Sequence, residues 1–162
     1  MKLIIVRHAS AVPHGTPGVA DNDRPLTPEG DLKFREAAKG LARIVDRPEA
    51  LLTSPWLRAR QTAAIAATAW GGPEPKETAA LASGSFEAQA EVLDRYPEDA
   101  TVALFGHEPW VSELLARLIG TSEDERLTFK KGGAALVDVE GKLAEGGSLV
   151  WYLPPKLLRK LG

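Results

Sequence analysis

Hydrophobic positions along this chain follow two patterns. Two runs are apolar without alternation, Leu3-Ile4-Ile5-Val6 and Val102-Ala103-Leu104-Phe105. A strand covered on one face alternates apolar with polar residues, so an unbroken apolar run reads as a strand buried on both faces, as in a parallel sheet. Elsewhere the apolar residues recur at helical spacing. Phe34, Ala37, Ala38, Leu41 and Ile44 or Val45 form one stripe, with Lys33, Arg35, Glu36, Lys39 and Arg43 between them. That stripe faces a core. Val111, Leu114, Leu115, Leu118 and Ile119 form a second one.

Turn and cap residues divide these segments. Thr27 before Pro28 predicts a helix start, with a hydroxyl cap followed by proline at the first helical position. Arg47-Pro48 ends that helix, and residues 50–53 read as a short strand. Ser54-Pro55 repeats the cap-and-proline signal and predicts a helix through Ala59, Thr62, Ala63, Ala66 and Ala67 to about Trp70. Gly71-Gly72-Pro73 closes it, residues 75–82 read as a short strand and loop, and Ser85 caps a helix over roughly residues 86–96. The second buried strand covers residues 100–105 and leads through Gly106-His107-Glu108-Pro109 into another helix. After a charged loop over residues 121–132, alternation and glycine punctuation predict a hairpin of residues 134–139 and 148–153. The tail from Pro154 reads as a docked end. Strands alternating with helices imply an α/β fold: a three-layer α/β/α sandwich whose central sheet is mostly parallel with a late antiparallel strand. The 162 residues suit one domain over residues 1–162.

Composition narrows the function classes. Hydrophobic content of 44% and charged content of 26% are ordinary for a globular protein. A net charge of −2 without a basic run argues against nucleic acid as a partner. No apolar stretch approaches the roughly 20 residues that cross a bilayer, so no membrane association is expected, and the N-terminal run is too short for a signal peptide. The chain has no cysteine, which excludes disulfide and thiolate chemistry and agrees with a cytoplasmic protein.

The candidate chemistry lies where the buried strands end, because open α/β sheets bind ligands beyond the carboxyl ends of their strands. Arg7 and His8 follow the first strand, and His107 follows the second. Arg58 falls in the first turn of a helix, where a positive side chain opposes the dipole and an anion would relieve the conflict. Arg7 and Arg58 offer forked donors that suit a phosphoryl group. One histidine can attack phosphorus and form a phosphohistidine, while the other donates to a phosphoryl oxygen. A two-histidine metal site would need a carboxylate at ligand distance, and the flanking arginines would repel the cation, so neither metal nor cofactor is expected. His14, in the long loop over residues 9–27, is placed to line a site, although a lone loop histidine reads first as solvated.

Four segments in this order resemble the histidine phosphatase superfamily, also called phosphoglycerate-mutase-like. Arg7-His8-Ala9 is similar to its Arg-His-Gly signature, and Ser54-Pro55-Trp-Leu-Arg58-Ala-Arg-Gln-Thr62 to its second-arginine motif. Gly106-His107-Glu108-Pro109 resembles the second-histidine motif, and Arg24-Pro-Leu-Thr27-x-x-Gly30 the segment opening the first helix. The resemblance implies His8 as nucleophile, Arg7 and Arg58 as phosphate ligands, and His107 completing the pocket. Glu108, directly after the second histidine, is the candidate general acid, with Asp21, Asp23, Glu77 and Glu87 as alternatives. The compact length is most similar to the SixA-like branch, which implies a phosphorylated protein as substrate. A small phosphomonoester is the alternative, and a catalytically silent phosphate-binding module a third reading.

Overall fold

The computed structural model describes residues 1–82, 84–122 and 124–162. These residues form one six-stranded sheet. Its strands are β1 (Lys2–Arg7), β2 (Ala50–Thr53), β3 (Lys76–Glu77), β4 (Thr101–Gly106), β5 (Ala134–Val139) and β6 (Gly147–Leu153), in spatial order β3-β2-β4-β1-β5-β6. The pairings β3–β2, β2–β4 and β4–β1 are parallel, whereas β5 runs antiparallel to both β1 and β6. The late antiparallel strand is therefore β5. A bulge between Leu136 and Val137 shifts its register with β6.

Two apolar layers lie against the sheet because successive residues of a buried strand point to opposite faces. Ile4 and Val6 of β1 pack with Ala103 and Phe105 of β4 on one face. There they meet α1 (Pro28–Ile44), α2 (Leu57–Trp70) and α5 (Pro155–Leu161). Leu3 and Ile5 pack with Val102 and Leu104 on the other face, against α3 (Phe86–Leu93) and α4 (Trp110–Leu118). This is the three-layer sandwich that the unbroken apolar runs predict.

Local chemistry explains most element boundaries. Thr27 Oγ1 accepts a hydrogen bond from the Gly30 amide at 3.0 Å, so the predicted cap of α1 forms. The stripe Phe34, Ala37, Ala38, Leu41 and Val45 is buried. The C-terminal tail docks as α5, whose Leu158 is fully buried. This close approach needs Gly40, since a Cβ there would lie 2.0 Å from the Leu158 carbonyl oxygen.

Two expectations need correction. Ser54 does not cap α2; the helix begins three residues later at Leu57, and the Ser54 hydroxyl accepts instead from the Trp56 amide at 3.2 Å. The helix over residues 86–96 is shorter, ending at Leu93, where Asp94 forms the C-cap and its Oδ1 accepts from the Leu143 amide. The loop over residues 121–132 contains a 3-10 turn at Asp124–Leu127, and Glu123 lies outside the described residues. Among the described residues, no helix is long and apolar enough to cross a membrane.

Candidate active site

Register brings the two histidines together. Arg7 of β1 pairs with Gly106 of β4, so the next residues of these parallel neighbours, His8 and His107, emerge side by side. Their ring centroids are 5.1 Å apart. On the other side of β4, Thr53 pairs with Phe105, so Ser54 falls beside Gly106, within side-chain reach of His107. Backbone bonds extend the ladders past the strand ends: the His8 amide donates to the Gly106 carbonyl at 3.0 Å, and the Ser54 amide to that of Phe105 at 3.0 Å.

Hydrogen-bond partners set the state of His8. Its Nδ1 is 2.7 Å from the Ala9 carbonyl oxygen. A carbonyl only accepts, so Nδ1 carries the hydrogen. Arg58 Nε, which only donates, lies 3.3 Å from His8 Nε2. Nε2 therefore presents its lone pair. Burial pushes the His8 pKa down to about 3, with His107, Arg58 and Arg7 adding to the effect against the Ala9 bond. Neutral imidazole with a lone pair on Nε2 is the nucleophilic form.

Thr62 of α2 fixes this geometry. Its hydroxyl donates to the Arg58 carbonyl at 2.6 Å and accepts from the Ala9 amide at 3.0 Å, tying the residue after His8 to the helix that carries Arg58. Arg58 is only 3% exposed, and its guanidinium carbon lies 4.6 Å from the centre of the Trp56 ring. That ring is in turn 4.6 Å from His107. His107 Nε2 is 2.8 Å from Ser54 Oγ, and burial, then the Arg58 charge, brings its pKa down to about 3. Among the described residues, the buried atoms His107 Nδ1 and Arg7 Nε have no hydrogen-bond partner. Arg7 is anchored by a bond from Nη1 to the Phe129 carbonyl.

All four predicted residues, Arg7, His8, Arg58 and His107, line one cleft of ≈ 550 Å³. Glu108 lines it too, but its Oε1 accepts from the Phe129 amide at 2.6 Å and from the Ser112 hydroxyl at 2.8 Å. A proton on that oxygen would have to displace one of these donors. Among the alternative acids, Glu77 pairs with Arg60 at 3.2 Å, away from the cleft, so Arg60 is a half-exposed surface residue.

The loop over residues 9–27 also lines the cleft, through His14 and Arg24. Asp21 is their hub. Its Oδ1 accepts from Arg24 Nε at 2.7 Å and is 2.7 Å from His14 Nδ1, while Oδ2 is 3.4 Å from Arg58 Nη2. The Asp21 carbonyl also accepts from Arg58 Nη1 at 2.6 Å. The His14 bond, then Arg24, brings the Asp21 carboxyl down to about 2. Sequence reasoning overlooked Arg24, which it read only as part of a helix-opening segment, as well as the contacts of Ser54, Trp56 and Thr62. Lys131 also lines the cleft.

Residues 3–100 match the model of the histidine phosphatase superfamily, branch 1. The chain belongs to that family. An uncharacterized protein of Picosynechococcus sp. is 36% identical over 137 residues, covering 82% of each chain. The structure of the protein histidine phosphatase SixA complexed with tungstate superposes with a TM-score of 0.82 at 27% identity, covering 98% of this chain and 99% of that one. A SixA structure from Agrobacterium tumefaciens gives a TM-score of 0.78 at 25% identity, covering 95% and 97%. The chain is thus a phosphatase of the SixA-like branch, with a phosphoglycerate-mutase-like fold.

Proposed function

We propose that this phosphatase works through a phosphohistidine on His8 and that its substrate is a phosphohistidine carried by a protein. The observation that carries the mechanism is the pairing of His8 Nδ1 with the Ala9 carbonyl, which leaves Nε2 free to attack once Arg58 turns to the substrate. Arg7 and Arg58 hold the phosphoryl oxygens and offset charge as it builds in transfer. His107 supplies a further donor through Nδ1, whose lack of a partner among the described residues favours this role. Glu108, the acid suggested by sequence, serves in this reading to anchor the Phe129 segment that holds Arg7.

The substrate assignment rests on two supports. The end-to-end match with SixA leaves little chain for an added lid. A phosphohistidine also asks little of a general acid, because imidazole, with a conjugate-acid pKa of roughly 6.5, leaves far more readily than an alkoxide. A cleft of ≈ 550 Å³ also suits a small phosphomonoester, which is the second reading. The absence of cysteine fits a reducing cytoplasm.

Burst kinetics with a phosphohistidine protein and an aryl phosphate, in chelator, test the proposal. Wild type is expected to form an acid-labile phosphoenzyme that His8→Ala does not form, and to turn over the phosphoprotein faster. Undiminished turnover by His8→Ala would overturn the nucleophile assignment. A preference for small phosphomonoesters would move the substrate to the second reading.

A further inference from the structure

The mechanism above uses the floor of the cleft and leaves its most exposed histidine without a task. His14 lines the same cleft as His8, and its side chain is 80% exposed. Its Nδ1 is 2.7 Å from Asp21 Oδ1. Asp21 is itself fixed by Arg24 Nε on that oxygen and by Arg58 on Oδ2 and on its backbone carbonyl. An exposed loop histidine would ordinarily sample many rotamers. This one is held by a carboxylate pinned at three points.

We propose that His14, oriented by Asp21, is the general acid of this cleft for phosphomonoester leaving groups. The inference rests on the phosphatase reading given above and extends it to leaving groups that need a proton. Asp21 is ionised over the working range and can only accept, so His14 Nδ1 keeps its hydrogen in both charge states. All exchange of the second proton then occurs at Nε2. A carboxylate that orients one ring nitrogen and leaves the other to move a proton is a recurrent arrangement in acid–base catalysis.

The steps balance. His8 Nε2 attacks phosphorus, the P–N bond forms and the bond from phosphorus to the leaving oxygen breaks, and His14 Nε2 passes its proton to that oxygen. Water then attacks the phosphohistidine, the P–N bond breaks to return the lone pair to His8, phosphate leaves carrying the water's protons, and solvent returns a proton to His14 Nε2. The charged groups nearest His14 are Asp21 and Arg24 on its own loop and Arg58 on α2. Arg7, His107, Glu108 and Lys131 line the same cleft.

The test is a leaving-group series on wild type and His14→Gln: p-nitrophenyl phosphate, phenyl phosphate, an alkyl phosphate and a phosphohistidine peptide. His14→Gln is expected to lower kcat on the alkyl phosphate roughly 100-fold while p-nitrophenyl phosphate and the peptide change by less than about threefold. The alkaline fall of kcat on the alkyl phosphate should vanish in the variant, and its melting temperature should match wild type. An equal loss on every substrate, or no loss on the alkyl phosphate, would overturn the proposal. The phosphoenzyme trapped from p-nitrophenyl phosphate separates the two levels. Its persistence in His14→Gln with an unchanged leaving-group dependence refutes His14 alone, whereas its absence from wild type refutes the phospho-His8 mechanism and this proposal with it.

Discussion

The floor and the rim of the cleft are built differently. His8, Arg58 and His107 are each no more than 5% exposed, and backbone or buried hydroxyl partners hold them at the ends of β1 and β4 and the start of α2. His14 and Asp21 are 80% and 35% exposed in their side chains and are held mainly by ion pairs. Sheet register makes the floor; loop electrostatics makes the rim. Charges on a rigid, dry floor keep their strength, while those on an exposed rim are screened by salt. The floor therefore suits the invariant part of the reaction, attack on phosphorus. The rim suits what varies, the group that leaves.

Arg58 joins the two regions, so its loss should have the largest effect. Arg58→Ala is expected to lower kcat/KM about 10²–10³-fold on every leaving group, as removal of a donor to developing charge does. Arg58→Lys should recover little, because a point charge does not reproduce the fork. A loss confined to poor leaving groups would instead assign Arg58 to the rim.

Acid should weaken the floor. His8 and His107 are brought from 6.5 to about 3 in the folded protein, so between those values the unfolded chain binds more protons. Their neutral burial is fully tolerated above about pH 6.5, and stability falls as the pH drops toward 3. At pH 5 the cost is about 2 kcal/mol for each histidine. Asp21, lowered to about 2, adds a loss in the same direction only below its unfolded value of 3.8, discounted for its exposure. Urea unfolding at pH 7.5 and pH 5 measures the slope, which His107→Gln should flatten.

Glu108 distinguishes anchoring from proton transfer. Glu108→Gln keeps an oxygen for the Phe129 amide, so activity on an alkyl phosphate should stay within about threefold. Glu108→Ala leaves that amide unpaired and should destabilise the protein by about 1–3 kcal/mol. A large loss of activity in the Gln variant with intact stability would restore Glu108 as the acid. The smallest effect is expected outside both regions. Arg60→Ala removes a half-exposed pair with Glu77 and should shift stability by less than about 0.5 kcal/mol, read by the same urea titration.

The amino-acid sequence by itself determined the layers of the fold and the residues of the floor. Continuous apolar runs at residues 3–6 and 102–105 suit strands buried on both faces of a sheet, and the residues that follow parallel strands emerge at one edge of it. Arg7, His8, Arg58 and His107 were legible for that reason and through their ordered motifs. Tertiary structure alone decided which ring nitrogen of His8 is free, and that Ser54 serves His107 rather than a helix N-terminus. It also decided that Asp21 joins His14, Arg24 and Arg58. Asp21 and Arg58 lie 37 residues apart, and Ser54 and His107 lie 53 apart. Local propensity acts over one helical turn or one strand. Bonds across such separations depend on register and on how a loop folds back, which no spacing along the chain encodes.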